Sequence, residues 1–356
     1  MTLDPIVITG MGLVLPCGDG IEAARDSWTE GRPCFTELPP ALGHGLGGVC
    51  TAFNPAGIIP PMTLRRLDRP SRYAWVAAHQ AFADAALDPK AEGEDLAIAA
   101  GSVTGGSEAG EAFMKPYFDK GPEGASPMVF PNCVANAASG HLAIAFGIKG
   151  PSATLVDRES ATLLALDQGV RWLRPGMART VLLVGTDGLF PLLVDLLHGV
   201  RRFAPSLPRA GSATGFLPGE GAQAFVLESR STAEARGARI RGEIAGFATC
   251  APARESASAR RQALAQAVQD LGPLAPDRWI GGASGLTTLD DSEIPLAAAH
   301  PDWPAAGLPK LLWGEFCGSG SQLLAAALLH PAKQVLITSP SSGGPQVAMT
   351  LKNVVT

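Results

Sequence analysis

The run "TLVDRESATLLALDQGVRWLRPG", Thr154 to Gly176, has the pattern of a β-rich strand turning directly into an apolar-faced helix. A side chain on such a turn stands at a helix N-terminus, whose free amides favour negative charge and lower the pKa of a thiol. A nucleophile is the residue expected there. The turn instead reads Asp157-Arg158-Glu159-Ser160, so the displayed position carries a carboxylate, Glu159. The six cysteines, at 17, 34, 50, 133, 250 and 317, show no CxxC pairing and no metal-ligand spacing. They read as reduced, mostly buried thiols of a cytoplasmic protein. Cys317 has no base beside it in the sequence and is not expected to act as a nucleophile. The six histidines are equally scattered. His141 and His330 fall in apolar helical runs and read as core or interface residues; His44, His79, His198 and His300 read as surface or packing residues. No metal or cofactor site is expected.

The elements that would position Glu159 alternate between strand and helix. "PIVITGMGLVLP" (5–16) reads as a buried strand and "GIEAARDSWTEG" (20–31) as a helix. A long amphipathic helix follows Pro70 within 63–87. A buried strand at 95–106 leads into a helix with small residues on one face, 132–148. The strand 152–157 and helix 160–176 hold Glu159 between them, and 179–188 is a strand again. The second half adds strands within 215–250, a helix at 255–272, a strand at 277–285, a helix at 318–331 and a hairpin over 333–352 around Gly343-Gly344. This alternation predicts an α/β fold. A glycine-rich element beside a small-residue helix recurs in both halves and hints at duplication.

With 46% hydrophobic and 17% charged residues in 356, the chain has ample material for a large core. The net charge of −5 and scattered basic residues give no nucleic-acid footprint. No stretch reaches the roughly 18–20 apolar residues that span a bilayer. The opening "MTLDPIVITGMG" has no basic segment before a long apolar run, so no signal peptide is expected.

Taken together, five segments resemble the β-ketoacyl synthase family of the thiolase fold. They are "VITGMGLVLPCGDG…SWTEGR" at the start, "SPMVFPNCVANAASGHLAIAFGIKGPSATLV" (126–156), "GFLPGEGAQAFVLES…EARGARIRGEIAGF" (215–247), "KLLWGEFCGSG" (310–320) and "SPSSGGPQVA" (339–348). They occur in the family's order and cover nearly the whole chain, which is shorter than usual mainly between Ala248 and Lys310. The resemblance implies a layered αβαβα fold of two related halves in one compact unit, 1–245 and 246–356, the first carrying inserted cap and interface elements.

The family's reaction uses a cysteine thiolate that takes an acyl group from an acyl carrier protein, two histidines that assist decarboxylation and stabilise the enolate, and a lysine that orders their hydrogen bonds. The spacing from Gly150-Pro151 places the cysteine position on Glu159. The histidine positions fall on Ser284 and Glu315, and the lysine is retained as Lys310. In the final loop the family's aromatic gate becomes Ser342, ahead of Gly343-Gly344, with Pro340 at a second phenylalanine position. A carboxylate does not readily hold the thioester that condensation needs, and residues that act as a unit are not replaced singly.

Within the family this pattern is similar to the chain length factors of type II polyketide systems, which lack the cysteine and pair with an active synthase to shape the acyl tunnel. Those proteins usually carry glutamine where Glu159 stands, and glutamate departs from that pattern. The resemblance places Val129, Phe130 and Cys133 on the segment that reaches across the two-fold interface. Phe130 is there either a stop for a growing chain or a filler of the local core. A buried Glu159 needs a partner, and Lys310 or Arg158 is the expected one; a solvent-facing Glu159 is the alternative. Arg201, Arg202 and Arg209 either dock a carrier protein or form a solvated face. Three readings stay open: a non-condensing partner of an active β-ketoacyl synthase, with the carrier protein engaged through the complex; an enzyme using Glu159 and Glu315 as an acid/base pair; or a homodimer without an active partner.

Overall fold

The computed structural model describes residues 4–211, 215–318 and 320–355. Its main sheet is built from β1 (Ile6–Leu15), β2 (Leu96–Ser102), β3 (Ser152–Val156), β4 (Thr180–Asp187), β5 (Gly221–Ser229), β6 (Gly242–Cys250), β7 (Arg278–Ile280), β8 (Ala306–Gly307), β9 (Ala332–Ser339) and β10 (Gln346–Val354). They pair in the order β8-β7-β9-β10-β6-β1-β5-β4-β2-β3. Each side of the β1–β6 junction repeats one scheme. β3, β2 and β4 are mutually parallel and then turn antiparallel through β5 to β1. β8, β7 and β9 are parallel and then turn antiparallel through β10 to β6. The duplication hinted at by the glycine-rich elements is therefore visible as sheet topology.

Every residue of β1 is buried, because helices cover both faces. Ile6, Ile8, Met11, Leu13 and Leu15 enter one core. The step from Ile8 to Met11 breaks the period of two, and a register shift between Ile8 and Gly10 against β5 accounts for it. The other face receives α2 (Arg69–Asp84), started by the Asp68 carboxylate on the Ser71 amide and by Pro70 in its first turn. Its alanines 74, 77, 78 and 81 are fully buried and let it lie close on the strand.

Two helices form the inner layer: α5 (Ala161–Leu173) and α10 (Ser321–Leu328). All eight residues of α10 are buried, as expected of a helix apolar all round. One core joins the two helices to strands from both halves, including Val181, Ile280, Ile337 and Met349. Further elements are α1 (Ile21–Glu30), α3 (Ser107–Lys120), α4 (Ala137–Phe146), α6 (Pro191–Gly199), α7 (Ala257–Asp270), α8 (Ile294–Ala299) and the short α9 (Lys310–Trp313). The small-residue helix starts later than the sequence pattern predicts. Phe130–Asn132 form a 3-10 turn instead, and α4 begins after Asn136. No helix of the described residues is long and apolar enough to cross a membrane.

The starts of α5 and α10 meet over β4 at Gly185. Thr162 Oγ1 donates to the Gly318 carbonyl at 3.0 Å. A Cβ on Gly185 would lie 2.3 Å from that carbonyl oxygen and within 2.5 Å of the Ser321 and Thr162 hydroxyls. Gly185→Ala is therefore expected to push the two helix starts apart and to cost about 1–3 kcal/mol, the range for overpacking a filled interior. Denaturant unfolding measures it; a midpoint equal to the parent's would show that the helix starts can part freely.

Candidate functional site

Glu159 lies in a 3-10 turn, Arg158–Ser160, that leads into α5. Arg158 has φ 40°, an unfavourable conformation for a residue with a side chain. It turns the chain sharply enough to bury Glu159, which is 3% exposed. The turn abuts Gly320, whose φ is 92°; a Cβ there would lie 2.6 Å from the Glu159 carbonyl oxygen. Glu159 thus sits where the two inner helices begin.

The Glu159 carboxylate faces the loop after β9. Its Oε2 accepts from the Ser342 amide at 2.9 Å and from the Ser341 hydroxyl at 3.3 Å, and its Oε1 accepts from the Ser342 hydroxyl at 2.8 Å. The expected ion pair with Lys310 or Arg158 does not form. Lys310 Nζ lies instead 2.8 and 3.1 Å from the two oxygens of Glu315. Arg158 reaches the Ser342 hydroxyl at 3.2 Å, so it touches Glu159 only through that serine. The reason is local. Lys310 and Glu315 flank a single turn, and Gly314 (φ 96°) bends it so that Glu315 meets the lysine. Glu159 has three hydroxyl and amide donors at hand and needs no cation.

Ser284, Lys310 and Glu315 are each 1% exposed. The Ser284 hydroxyl approaches the Glu315 carboxylate and helps it stay charged, but outside well-aligned hydrogen-bond geometry, and the oxygen has no other partner. Burial raises the Glu315 pKa; Lys310 opposes this and the nearby negative charge of Glu159 adds to it. Asp157 is likewise raised, by burial first and by Glu159 second. The structure thus brings Glu159, Ser284, Lys310 and Glu315 into one closed cluster, capped by Ser341 and Ser342. Pro340 is buried at the root of that cap, Gly343 is exposed, and Gly344 lies against Asp157.

Two residues outside the sequence motifs hold this cluster in place. Glu293 accepts from the Gly282 and Ala283 amides at 2.8 and 2.9 Å, and Asp290 accepts from the Ser284 and Gly285 amides at 2.9 and 3.1 Å. Burial pushes Glu293 up to about 7. In the sequence, "LDDSE" (289–293) has the composition of a solvated loop. The only available signal is its place just after a glycine turn that leaves four amides unpaired.

The histidines lie elsewhere. His141 bonds Asn132 at 2.7 Å, His330 bonds Thr29 at 3.1 Å just past the end of α10, His198 bonds the His44 carbonyl at 2.9 Å, His300 stacks on Trp303, and His79 is exposed. Cys317 is fully buried and bonded to the Glu220 carbonyl; burial pushes its thiol well up, which makes it inert.

The Val129–Cys133 turn forms a second locus. Asn132 anchors it through its Nδ2 on the Arg66 carbonyl, and the Cys133 thiol donates to the Val129 carbonyl. Phe130 is 60% exposed, with its ring against Phe113 at 5.5 Å. It does not fill a core of this chain.

Removing Lys310 would leave Glu315 buried and unpaired, at a cost of roughly 3–5 kcal/mol. Because the Glu315 pKa is already raised in the folded chain, its contribution is full at acid pH and is lost as pH rises through the folded value. The penalty of Lys310→Met should therefore grow between pH 5 and pH 8. Adding Glu315→Leu should recover most of it and flatten the pH profile. Urea titrations of the two variants at both pH values check this; a double variant no more stable than Lys310→Met would contradict the pairing.

Comparison with known proteins gives the same result by another route. The family model for the N-terminal domain of β-ketoacyl synthases matches residues 3–233. The chain is 30% identical to the tetracenomycin polyketide synthase ketoacyl synthase beta subunit of Streptomyces glaucescens, over 96% of this chain and 89% of that one. It is also 30% identical to 3-oxoacyl-[acyl-carrier-protein] synthase 2 of Staphylococcus aureus (strain COL), over 80% and 73% of the two chains. The solved ishigamide ketosynthase/chain length factor superposes with a TM-score of 0.87 at 22% identity, covering 99% of this chain and all of that one. The motifs, the repeated sheet topology and the match over well over half of its length agree, and the chain belongs to the β-ketoacyl synthase family.

Proposed function

We propose that this protein is a non-condensing subunit of the chain-length-factor kind, which pairs with an active β-ketoacyl synthase and helps shape the tunnel that holds the growing acyl chain. The observation that carries the reading is the buried Glu159 carboxylate, saturated by Ser341 and Ser342 and closed to solvent. Condensation needs a thiolate that accepts an acyl group and donors that hold an enolate. Here the thiolate position is a hydrogen-bonded carboxylate, the second histidine position is an acid tied to Lys310, and no imidazole among the described residues reaches either. The same geometry disfavours an acid/base enzyme. Glu159 and Glu315 spend their oxygens on different partners and are 3% and 1% exposed.

The surface supports the pairing. β3 ends the sheet, and its outer edge faces no strand among the described residues. An unpaired edge is a template for another chain. Around it stand Val156, Ile144 on α4 (85% exposed), Val134, Met128 and Phe130, an apolar band of the kind that marks a protein interface. Phe130 is anchored at its base, touches Phe113 with its ring and leaves the rest of that ring exposed, which suits a side chain offered to a partner's cavity. The similarity to a ketoacyl synthase beta subunit makes an active synthase the fitting partner, with the acyl carrier protein engaged through the complex.

Co-expression with an active type II synthase should yield a one-to-one complex on gel filtration, and Val156→Asp with Ile144→Arg should dissolve it. In the complex, Phe130→Ala should lengthen the product by at least one extender unit. Glu159→Cys should leave the isolated chain without condensing activity above background, since the rest of the site is not rebuilt. Acyl elongation by the isolated parent protein would sink the proposal. Elution as a tight homodimer that ignores every synthase would favour the homodimer reading.

A further inference from the structure

A cavity of about 720 Å³ opens on the far face of the second half, between α7 and α8. It is independent of the Glu159 cluster and of the β3 edge. Val268, Leu274 and Leu296 make its apolar wall, and the Trp303 ring, with His300 stacked on it at 3.9 Å, closes one end. Its size falls in the range of small-molecule sites, which are mostly apolar with a few placed polar groups.

Four polar side chains line the cavity: Arg261, Gln269, Ser292 and His300. Ser292 is 3% exposed, lines the cavity, and has a hydroxyl with no hydrogen-bond partner. A buried polar atom left unpaired is rare in folded proteins and calls for a missing partner. Arg261 stands at the mouth. Its nearest acid is Asp291 at 4.0 Å, beyond hydrogen-bond reach, and its guanidinium is partly exposed. No carboxylate side chain lines the cavity. The neighbouring acids Asp290 and Glu293 are turned the other way, onto the amides of Gly282 to Gly285. The cavity therefore offers an apolar volume, one guanidinium at its mouth, an unsatisfied hydroxyl buried in its wall, the neutral amide of Gln269, the His300 ring stacked on Trp303, and no acidic side chain on its walls.

We propose that this cavity binds a monocarboxylate with an apolar body, its carboxylate held by Arg261 and Ser292 and its hydrocarbon packed between Val268, Leu296 and Trp303. Arginine meets a carboxylate with two parallel N–H donors, and such charge-assisted bonds are the strong ones. Asp291 is the competing acid, and at its distance a bound carboxylate can displace it.

Isothermal titration tests this with four probes: decanoate, 2-naphthoate, neutral decan-1-ol and decylamine. At least one carboxylate should bind more tightly than the alcohol, and the amine should bind more weakly than both. Which carboxylate binds better distinguishes an alkyl from an aryl ligand. Arg261→Gln should weaken the carboxylates about tenfold and leave decan-1-ol unchanged, as expected when one charge-assisted contact is lost. Ala265→Trp, at an exposed position lining the mouth, should abolish binding of all four probes without threatening the fold; circular dichroism confirms that. Failure of both carboxylates to bind, tighter binding of decylamine, equal loss of acid and alcohol in Arg261→Gln, or undiminished binding in folded Ala265→Trp would each overturn the assignment.

Discussion

A carboxylate removed from water has to be given partners, and that requirement organises the centre of this molecule. Four acids lie there out of solvent: Glu159, Asp290, Glu293 and Glu315. Glu315 has the only buried cation among them, Lys310. The others are satisfied by backbone amides and hydroxyls, the serine cap on Glu159 and the clamp on residues 282–285. Burial raises the pKa of Asp290, Glu293 and Glu315 alike. A pocket built for chemistry leaves such groups free to meet a substrate. Here their bonds are directed inward, and the loops that would form the walls are fastened to one another.

The fold makes this possible without changing its architecture. The two inner helices start at the same place because Gly185 and Gly320 let backbone approach backbone. Whatever side chain occupies position 159 is held at that junction, beside the turn of Lys310 and Glu315. The junction does not depend on the side chain at 159, because its packing comes from Ala161, Thr162 and the apolar faces of α5 and α10. An acid can therefore stand at this position provided nearby donors reach it, and the two serines before Gly343 supply them.

Strands and long helices were legible in the sequence because each has a strong local period. β1, α2, α5, α7 and the β9–β10 hairpin fall within a few residues of their expected limits. The turn carrying Glu159 was legible from the β-rich run 152–157 passing directly into the apolar-faced run 160–176. Partner choice was not. Lys310 lies five residues from Glu315, and between them stands the positive φ of Gly314, which no periodicity encodes. The clamp by Asp290 and Glu293 was hidden by composition, since "LDDSE" reads as a solvated loop until the amides it serves are seen. α6 was missed because "PLLVDLL" is too short an apolar run to choose between strand and helix. Phe130 was ambiguous for another reason: an aromatic side chain in a sequence does not say whether its ring faces its own core or a neighbour's.

That last distinction separates the two kinds of constraint on this chain. Around Glu159 the buried carboxylates are answered from within: Ser341 and Ser342 hold Glu159, and Lys310 holds Glu315. At the β3 edge the opposite holds. Ile144, Val156 and Phe130 present apolar surface to solvent beside a row of backbone groups with no strand to meet them. Nothing in the folding of the isolated chain selects for such a surface, because water penalises it. The closed interior and the open edge are therefore two different answers to the same physics: buried charge is met by donors within the chain, while the apolar band beside the free edge is met by nothing among the described residues.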